Sequence, residues 1–217
     1  IIRLHDMNSI HSINQRTAHL NHFGLIKDSL AITEMEVALD FYGYKHIALI
    51  TALFKAIKLP NYVNNLRVFK MQTGVFTPIP SNPLNLHSKI DDGYNIGINH
   101  KLADEYWHLY QKQTDHNGQP LPEVEWRIRA EKNVKVKVLV KLDNRLLNLK
   151  RVLLDCFKGI RFTQLKKDAV KQTKQLYDNK VEAYGAEKVA YLDASRNLRK
   201  LHPQIKMNTE LNKLVVN

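Results

Sequence analysis

Hydrophobic and polar residues alternate with period two in Thr33 to Phe41, TEMEVALDF. Met35, Val37, Leu39 and Phe41 fall on one side of an extended chain, and Glu34, Glu36, Ala38 and Asp40 on the other. The pattern predicts a strand with one apolar and one acidic face. Pro122 to Ile128, PEVEWRI, repeats it: Val124, Trp126, Ile128 and Ala130 stand against Glu123, Glu125, Arg127 and Arg129. Two strands so alike are expected to be neighbours. Periodicity alone predicts half-exposed antiparallel strands whose polar faces meet solvent.

Between them the period lengthens. Tyr44 to Lys58, YKHIALITALFKAIK, places Ile47, Ile50, Phe54 and Ile57 at helical spacing, widened by Ala48, Leu49 and Leu53 and stopped by Pro60. This helix is expected to cover one sheet face. Leu66 to Phe69 reads as a short strand, and Thr77 to Leu86, with its three prolines, as a loop or edge segment. GYNIGI from Gly93 and EYWHLYQKQ from Glu105 return to strand character, and Asn117-Gly118 predicts a hairpin turn ahead of EVEWRIRA. That hairpin puts Tyr106, His108, Tyr110 and Lys112 on one face and Glu105, Trp107, Leu109 and Gln111 on the inward one, so that Tyr110 and Glu125 can share a site.

VKVKVLVKL from Val134 still alternates, but from Asn144 the pattern is helical. Leu146, Leu149, Val152, Leu153 and Phe157 lead to Gly159; Leu165, Val170, Leu176 and Val181 follow; Ala186 to Leu201 closes at Pro203. The predicted architecture is α+β, an antiparallel-dominated sheet covered by helices in residues 1–143, followed by a basic helical region, 144–217.

Charge sharpens that division. The net charge is +12, yet residues 1–130 carry 13 Lys and Arg against 12 Asp and Glu, whereas 131–217 carry 20 against 9. A polyanion is the natural partner of such a segment. Nucleic acid ranks ahead of an anionic membrane because no strongly apolar helix face accompanies the charge. No apolar run approaches the roughly 18 to 20 residues of a membrane-spanning helix, so no membrane partner is expected. The single cysteine, Cys156, excludes an internal disulfide framework and fits a reducing cytoplasm, with the thiol buried in its helix. His19 and His22 are spaced for one helix face and read as surface residues. The first residue, Ile1, is what a fragment or processed product would show.

Carboxylates on two adjacent strands can hold a divalent cation through oxygen ligands, as Mg or Mn prefers. A tyrosine on a neighbouring strand can attack a phosphodiester and form a phosphotyrosyl bond. A lysine two residues along can neutralise the developing charge. Each residue also has a plain structural use: Tyr110 as a cross-strand aromatic, Lys112 as a solvated strand residue, Asp40 as a cap for the next helix.

The order of these motifs resembles rolling-circle replication initiators of the plasmid trans-acting Rep type, whose relatives occur on many mobile elements. Glu34-Met35-Glu36-Val37-Ala38-Leu39-Asp40-Phe41 is similar to the family's Arg-hydrophobic-Asp-hydrophobic-Ala-hydrophobic-Asp-Phe strand, with Glu34 in place of arginine. Tyr94-Asn95-Ile96-Gly97 and Leu109-Tyr110-Gln111-Lys112 resemble its Tyr-x-x-Gly and hydrophobic-Tyr-x-Lys segments. Glu123-Val124-Glu125 resembles its Arg-hydrophobic-Glu step, with Glu123 in place of arginine, and the family's serine-rich turn is replaced by Ile98-Asn99-His100.

The resemblance covers about residues 30 to 135. It implies a DNA nicking and joining endonuclease, with Tyr110 as nucleophile, Lys112 assisting, and Glu36, Asp40 and Glu125 on Mg or Mn. Tyr94 and Tyr106 are alternative nucleophiles. Arg127, Arg129, Lys166, Lys167, Lys171 and Lys174 would contact DNA phosphates, the DNA being a replication origin single-stranded at the nick. A host helicase and a second copy of the chain are further candidate partners. The departures from the motif leave a second expectation open, a DNA-binding protein or regulator on the same scaffold without the chemistry.

Overall fold

The computed structural model describes residues 10–19, 22, 24, 33–43, 46–57, 65–80, 83–115, 117–135, 149–178 and 203–216. The elements are α1 (Ile10–Ala18), β1 (Glu34–Tyr42), α2 (His46–Ala56), β2 (Leu66–Phe69), β3 (Phe76–Pro78), α3 (Pro83–Asp91), β4 (Asn95–Ile98), β5 (Glu105–Lys112), β6 (Arg127–Lys135), α4 (Leu149–Phe157), β7 (Thr163–Leu165), α5 (Lys171–Asp178), β8 (Ile205–Met207) and α6 (Thr209–Val216). The fold is α+β: six antiparallel strands lie in the order β1-β6-β5-β4-β2-β3, and β7 and β8 form a separate pair.

The register sorts side chains onto two faces. Leu39 lies opposite Ala130 and Phe41 opposite Ile128 on the β1–β6 pair, while Leu109 lies opposite Ala130 and Trp107 opposite Lys132 on the β5–β6 pair. This apolar face, continued by Val68, Ile96 and Ile98, is buried under helices. Leu49, Ile50, Leu53 and Phe54 of α2 pack there, and Phe54 is fully buried. Truncating it to alanine would cost about 3–5 kcal/mol.

Leu86 and Ile90, four residues apart on α3, join the same core. The prolines around residue 80 conceal this helix, which the sequence reading places in a loop or edge segment. Pro78 ends the edge strand β3, and Pro83 sits in the first turn of α3, where a missing N–H costs nothing. Gly93, at φ +81, closes α3: its N–H donates to Ile90 O and that of Tyr94 to Lys89 O.

The segment after residue 144 shares the core of the sheet. Phe162 meets Phe41 edge to face at 6.0 Å, Phe157 meets Trp107 at 5.9 Å, and Ile57 and Ile160 form a bridge. Asn212 of α6 binds the Phe162 backbone in both directions at 2.8 Å, standing in for a strand neighbour. Residues 163–165 form a strand where helix is expected, because Lys206 and its neighbours on β8 pair with them. The expected helix over 186–201 and the alternating run beyond 135 lie outside the described residues, as does the expected boundary at 143. Among the described residues no helix is long and apolar enough to cross a membrane.

Candidate functional site

The second face of the sheet carries the polar partners of the same alternation. Glu34, Glu36, Ala38, Asp40 and Tyr42 of β1 pair in turn with Lys135, Asn133, Glu131, Arg129 and Arg127 of β6. Across β6 stand Tyr106, His108, Tyr110 and Lys112 of β5. Trp107 and Leu109 are buried on the opposite side, as the alternation requires.

Tyr110 is the centre of this face. Its hydroxyl donates to Glu131 Oε1 at 2.6 Å, and His108 Nδ1 lies 3.4 Å from Glu131 Oε2. The His108 ring stacks on Tyr110 at 4.1 Å and lies 5.1 Å from Phe69. Its Nε2 is buried with no hydrogen-bond partner among the described residues. Burial, then the charge of Glu131 and the bond to it, raise the Tyr110 phenol above its ordinary range. Burial works to raise Glu131 as well, but its bonds from His108 and Tyr110 and the charge of Arg129 prevail and hold it low. At neutral pH the phenol therefore keeps its proton, facing an ionised carboxylate.

Lys112 sits two residues from Tyr110 on the same face. Desolvation, then the positive charge of Arg129, lower its ammonium, and among the described residues it makes no ion pair. Glu36 is raised by desolvation and then by the charge of Glu131. Its carboxylate has no hydrogen bond or ion pair among the described residues.

Asp40 is engaged on both oxygens. Arg129 Nε and Nη2 each lie 2.6 Å from it and Arg127 Nε 3.1 Å. Desolvation would lower the Arg129 guanidinium, yet the bonds and charge of Asp40 outweigh it and raise it.

Glu125 is elsewhere. The expected strand over 122–128 begins only at Arg127, because Glu123–Glu125 form a turn of 3-10 helix. Pro122, which has no N–H for a ladder, starts that turn, and the Trp126 indole donates to Leu121 O at 3.0 Å to pin it. Asn117-Gly118 does lie in the β5–β6 connection, within a loop organised by Asp115, whose Oδ1 accepts from the Asn117 and Gln119 N–H at 2.8 Å. The acid beside Tyr110 is thus Glu131, which the sequence reading missed. A signal for it existed: Arg129-Ala130-Glu131 has the Arg-hydrophobic-Glu form without substitution.

No protein-family model and no curated protein matches this chain.

Of the expected cation set, Glu36 faces the site, Asp40 is taken by two arginines, and Glu125 is off the sheet. Among the described residues no group of three or more His, Cys, Asp or Glu is placed to hold a metal ion, so these residues do not fit Mg or Mn as arranged. Of the alternative nucleophiles, Tyr106 lies on the open face, stacked on His108 at 6.4 Å, its phenol raised by burial. Tyr94 packs between Lys70 and Lys89, at 5.0 and 4.6 Å. Of the expected phosphate contacts, Arg127 and Arg129 are committed to Asp40, whereas Lys166, Lys167, Lys171 and Lys174 are exposed around the β7–α5 turn.

Gly97 of the Tyr-x-x-Gly segment has a local reason. It lies opposite His108 on β5 and Arg67 on β2. A Cβ there would stand 3.1 Å from Phe69 Cε1 and 3.4 Å from Arg67 Cζ. Its absence lets Phe69 and Arg67 lie over the sheet against His108 and Tyr106.

Proposed function

We propose that this chain is a DNA nicking and joining protein of the replication-initiator kind, with Tyr110 as its nucleophile. One observation carries the reading. The Tyr110 hydroxyl donates at 2.6 Å to a carboxylate on the adjacent central strand, and a lysine with no ion pair among the described residues stands two positions along the same face. A nucleophile, a proton acceptor and a cation for the phosphate are side by side.

In the step this supports, Tyr110 Oη forms a bond to phosphorus as the bond to the DNA 3' oxygen breaks. The phenolic proton passes to Glu131, and the leaving oxygen takes a proton from solvent and departs as a 3' hydroxyl. Joining is the reverse. Lys112 offsets charge on the phosphate oxygens. The exposed lysines 166, 167, 171 and 174 supply sequence-independent phosphate contacts with steep salt dependence. No step is routed through Mg or Mn, because Asp40 is held by two arginines and Glu125 lies off the sheet.

The test is formation of a covalent adduct with labelled single-stranded DNA tiled over the region around the protein's own coding sequence, in Mg, in Mn and in chelator. The wild type is expected to form it and Tyr110→Phe to fail. An adduct that survives Tyr110→Phe moves the nucleophile elsewhere, Tyr106 first. A second reading, DNA binding without chemistry, is favoured by the capture of Asp40 and by the retained Tyr110 proton. It predicts DNA retention with no adduct under any of the three conditions.

A further inference from the structure

The open face is divided. Its carboxylates, Glu34, Glu36, Asp40 and Glu131, all stand on β1 and β6. The half formed by β4, β2 and β3 presents no acid on this face: it carries Asn95, Gly97, Arg67, Phe69, Phe76 and Pro78. Arg67 lies over two rings there, 5.5 Å from the Tyr106 centroid and 5.6 Å from Phe69, and its Nη1 donates to Asn65 Oδ1 at 3.0 Å and Asn99 O at 2.6 Å, neutral acceptors that leave its charge uncompensated.

Phe76 is opposite Phe69 in the register and 69% exposed, on an edge strand. The adjoining turn adds Met71 at 65% and Val75 at 50% exposure. Flat rings therefore run from the sheet edge, through Phe76 and Phe69, to His108 and Tyr110. Positive charge accompanies this track and negative charge is absent from its outer half.

We propose that the β2–β3 edge is a stacking platform for unpaired bases of single-stranded DNA, with Phe76 as its outermost ring and Arg67 holding a phosphate. Every base offers a π face to such rings whatever its sequence, and a cation among them suits a polyanion. A protein partner seated on the same apolar edge would not require the arginine or the flatness of the rings. The inference rests on the nicking reading only for what lies at the inner end of the track, since the strand led along it would arrive at Tyr110.

The probe is a labelled 20-mer of thymidylate, titrated against the full chain by anisotropy in dilute salt. Phe76 is exposed, so its replacement leaves the core intact. Phe76→Ala is expected to weaken the oligomer roughly tenfold. Phe76→Trp should retain affinity, and Phe76→Leu, apolar without a flat face, should behave like alanine. The same oligomer annealed to its complement should bind all four proteins alike. The proposal is overturned if the wild type does not bind the oligomer, if Phe76→Ala leaves its affinity unchanged, if Phe76→Leu retains it, or if the duplex loses as much. An adduct that forms at Tyr110 while Phe76 proves indifferent sinks the platform alone. Phe76-dependent binding with no adduct sinks the nicking reading alone.

Discussion

Tyr110 and Glu131 meet diagonally across the β5–β6 pair, hydroxyl to carboxylate at 2.6 Å, although the register sets Tyr110 opposite Arg129 and Glu131 opposite His108. The contact holds the phenol protonated and the carboxylate ionised at once. Glu131→Gln removes the charge and keeps the shape. The Tyr110 phenol should then titrate at lower pH than in the wild type, while burial still keeps it above an ordinary tyrosine. Ultraviolet difference titration against the Glu131→Gln, Tyr110→Phe double variant isolates that phenol. If the nicking reading holds, adduct formation should fall by about 10²- to 10⁴-fold, the usual worth of a positioned base.

Asp40 acts as a clasp for two guanidinium groups. Asp40→Asn leaves Arg127 without its anion and Arg129 with only Glu131 Oε1 at 3.5 Å, at a cost of about 2–3 kcal/mol, below the full price of a buried pair because the groups keep some solvent contact and Arg129 keeps one partner. In a chain of this size the melting temperature should drop by about 5–10 °C. Thermal melts with and without Mg check it. An unchanged melting temperature together with loss of a Mg effect would instead make Asp40 a cation ligand.

Gly97→Ala places a methyl against Phe69 and Arg67. The expected loss is about 1–3 kcal/mol from overpacking, read by denaturant unfolding. The same variant should disturb the His108 ring resonances, since Phe69 is displaced toward His108 or off the sheet.

Glu36 and Glu131 respond oppositely to pH. The folded pKa of Glu36 is raised above 4.5, so its favourable contribution is complete below that value and is lost as pH rises through the folded pKa. The folded pKa of Glu131 is depressed, so its contribution is present above 4.5 and is lost as pH falls through it. Glu36→Gln should therefore stabilise the protein at pH 7 by a few tenths of a kcal/mol after solvent screening, and not at pH 3. Melts at the two pH values measure the difference; equal gains at both would show that neither burial nor Glu131 raises the folded pKa of Glu36.

Local pattern carried the strand faces because side-chain direction in an extended chain repeats every two residues whatever the neighbours. Met35, Val37, Leu39 and Phe41 turn inward and Tyr106, His108, Tyr110 and Lys112 outward as alternation requires, and α2 buries Ile50, Leu53 and Phe54 of the stripe its spacing displays. Pattern failed where a backbone constraint overrode it. Glu123 and Glu125 alternate well on paper, yet Pro122 and the Trp126 indole turn them into a 3-10 coil, and the strand starts two residues later. Proline likewise hid α3, since its tolerance in a first helical turn is positional.

The sequence by itself determined the α+β class and the tyrosine, lysine and carboxylate residue types of the outer face, since both follow from short-range periodicity. Only the tertiary structure decided which side chains meet there. Register across strands far apart in the chain gave both oxygens of Asp40 to arginines 87 and 89 residues away and set Glu131 beside Tyr110. Strand pairing is a long-range choice made by the shared core, and no local pattern encodes it.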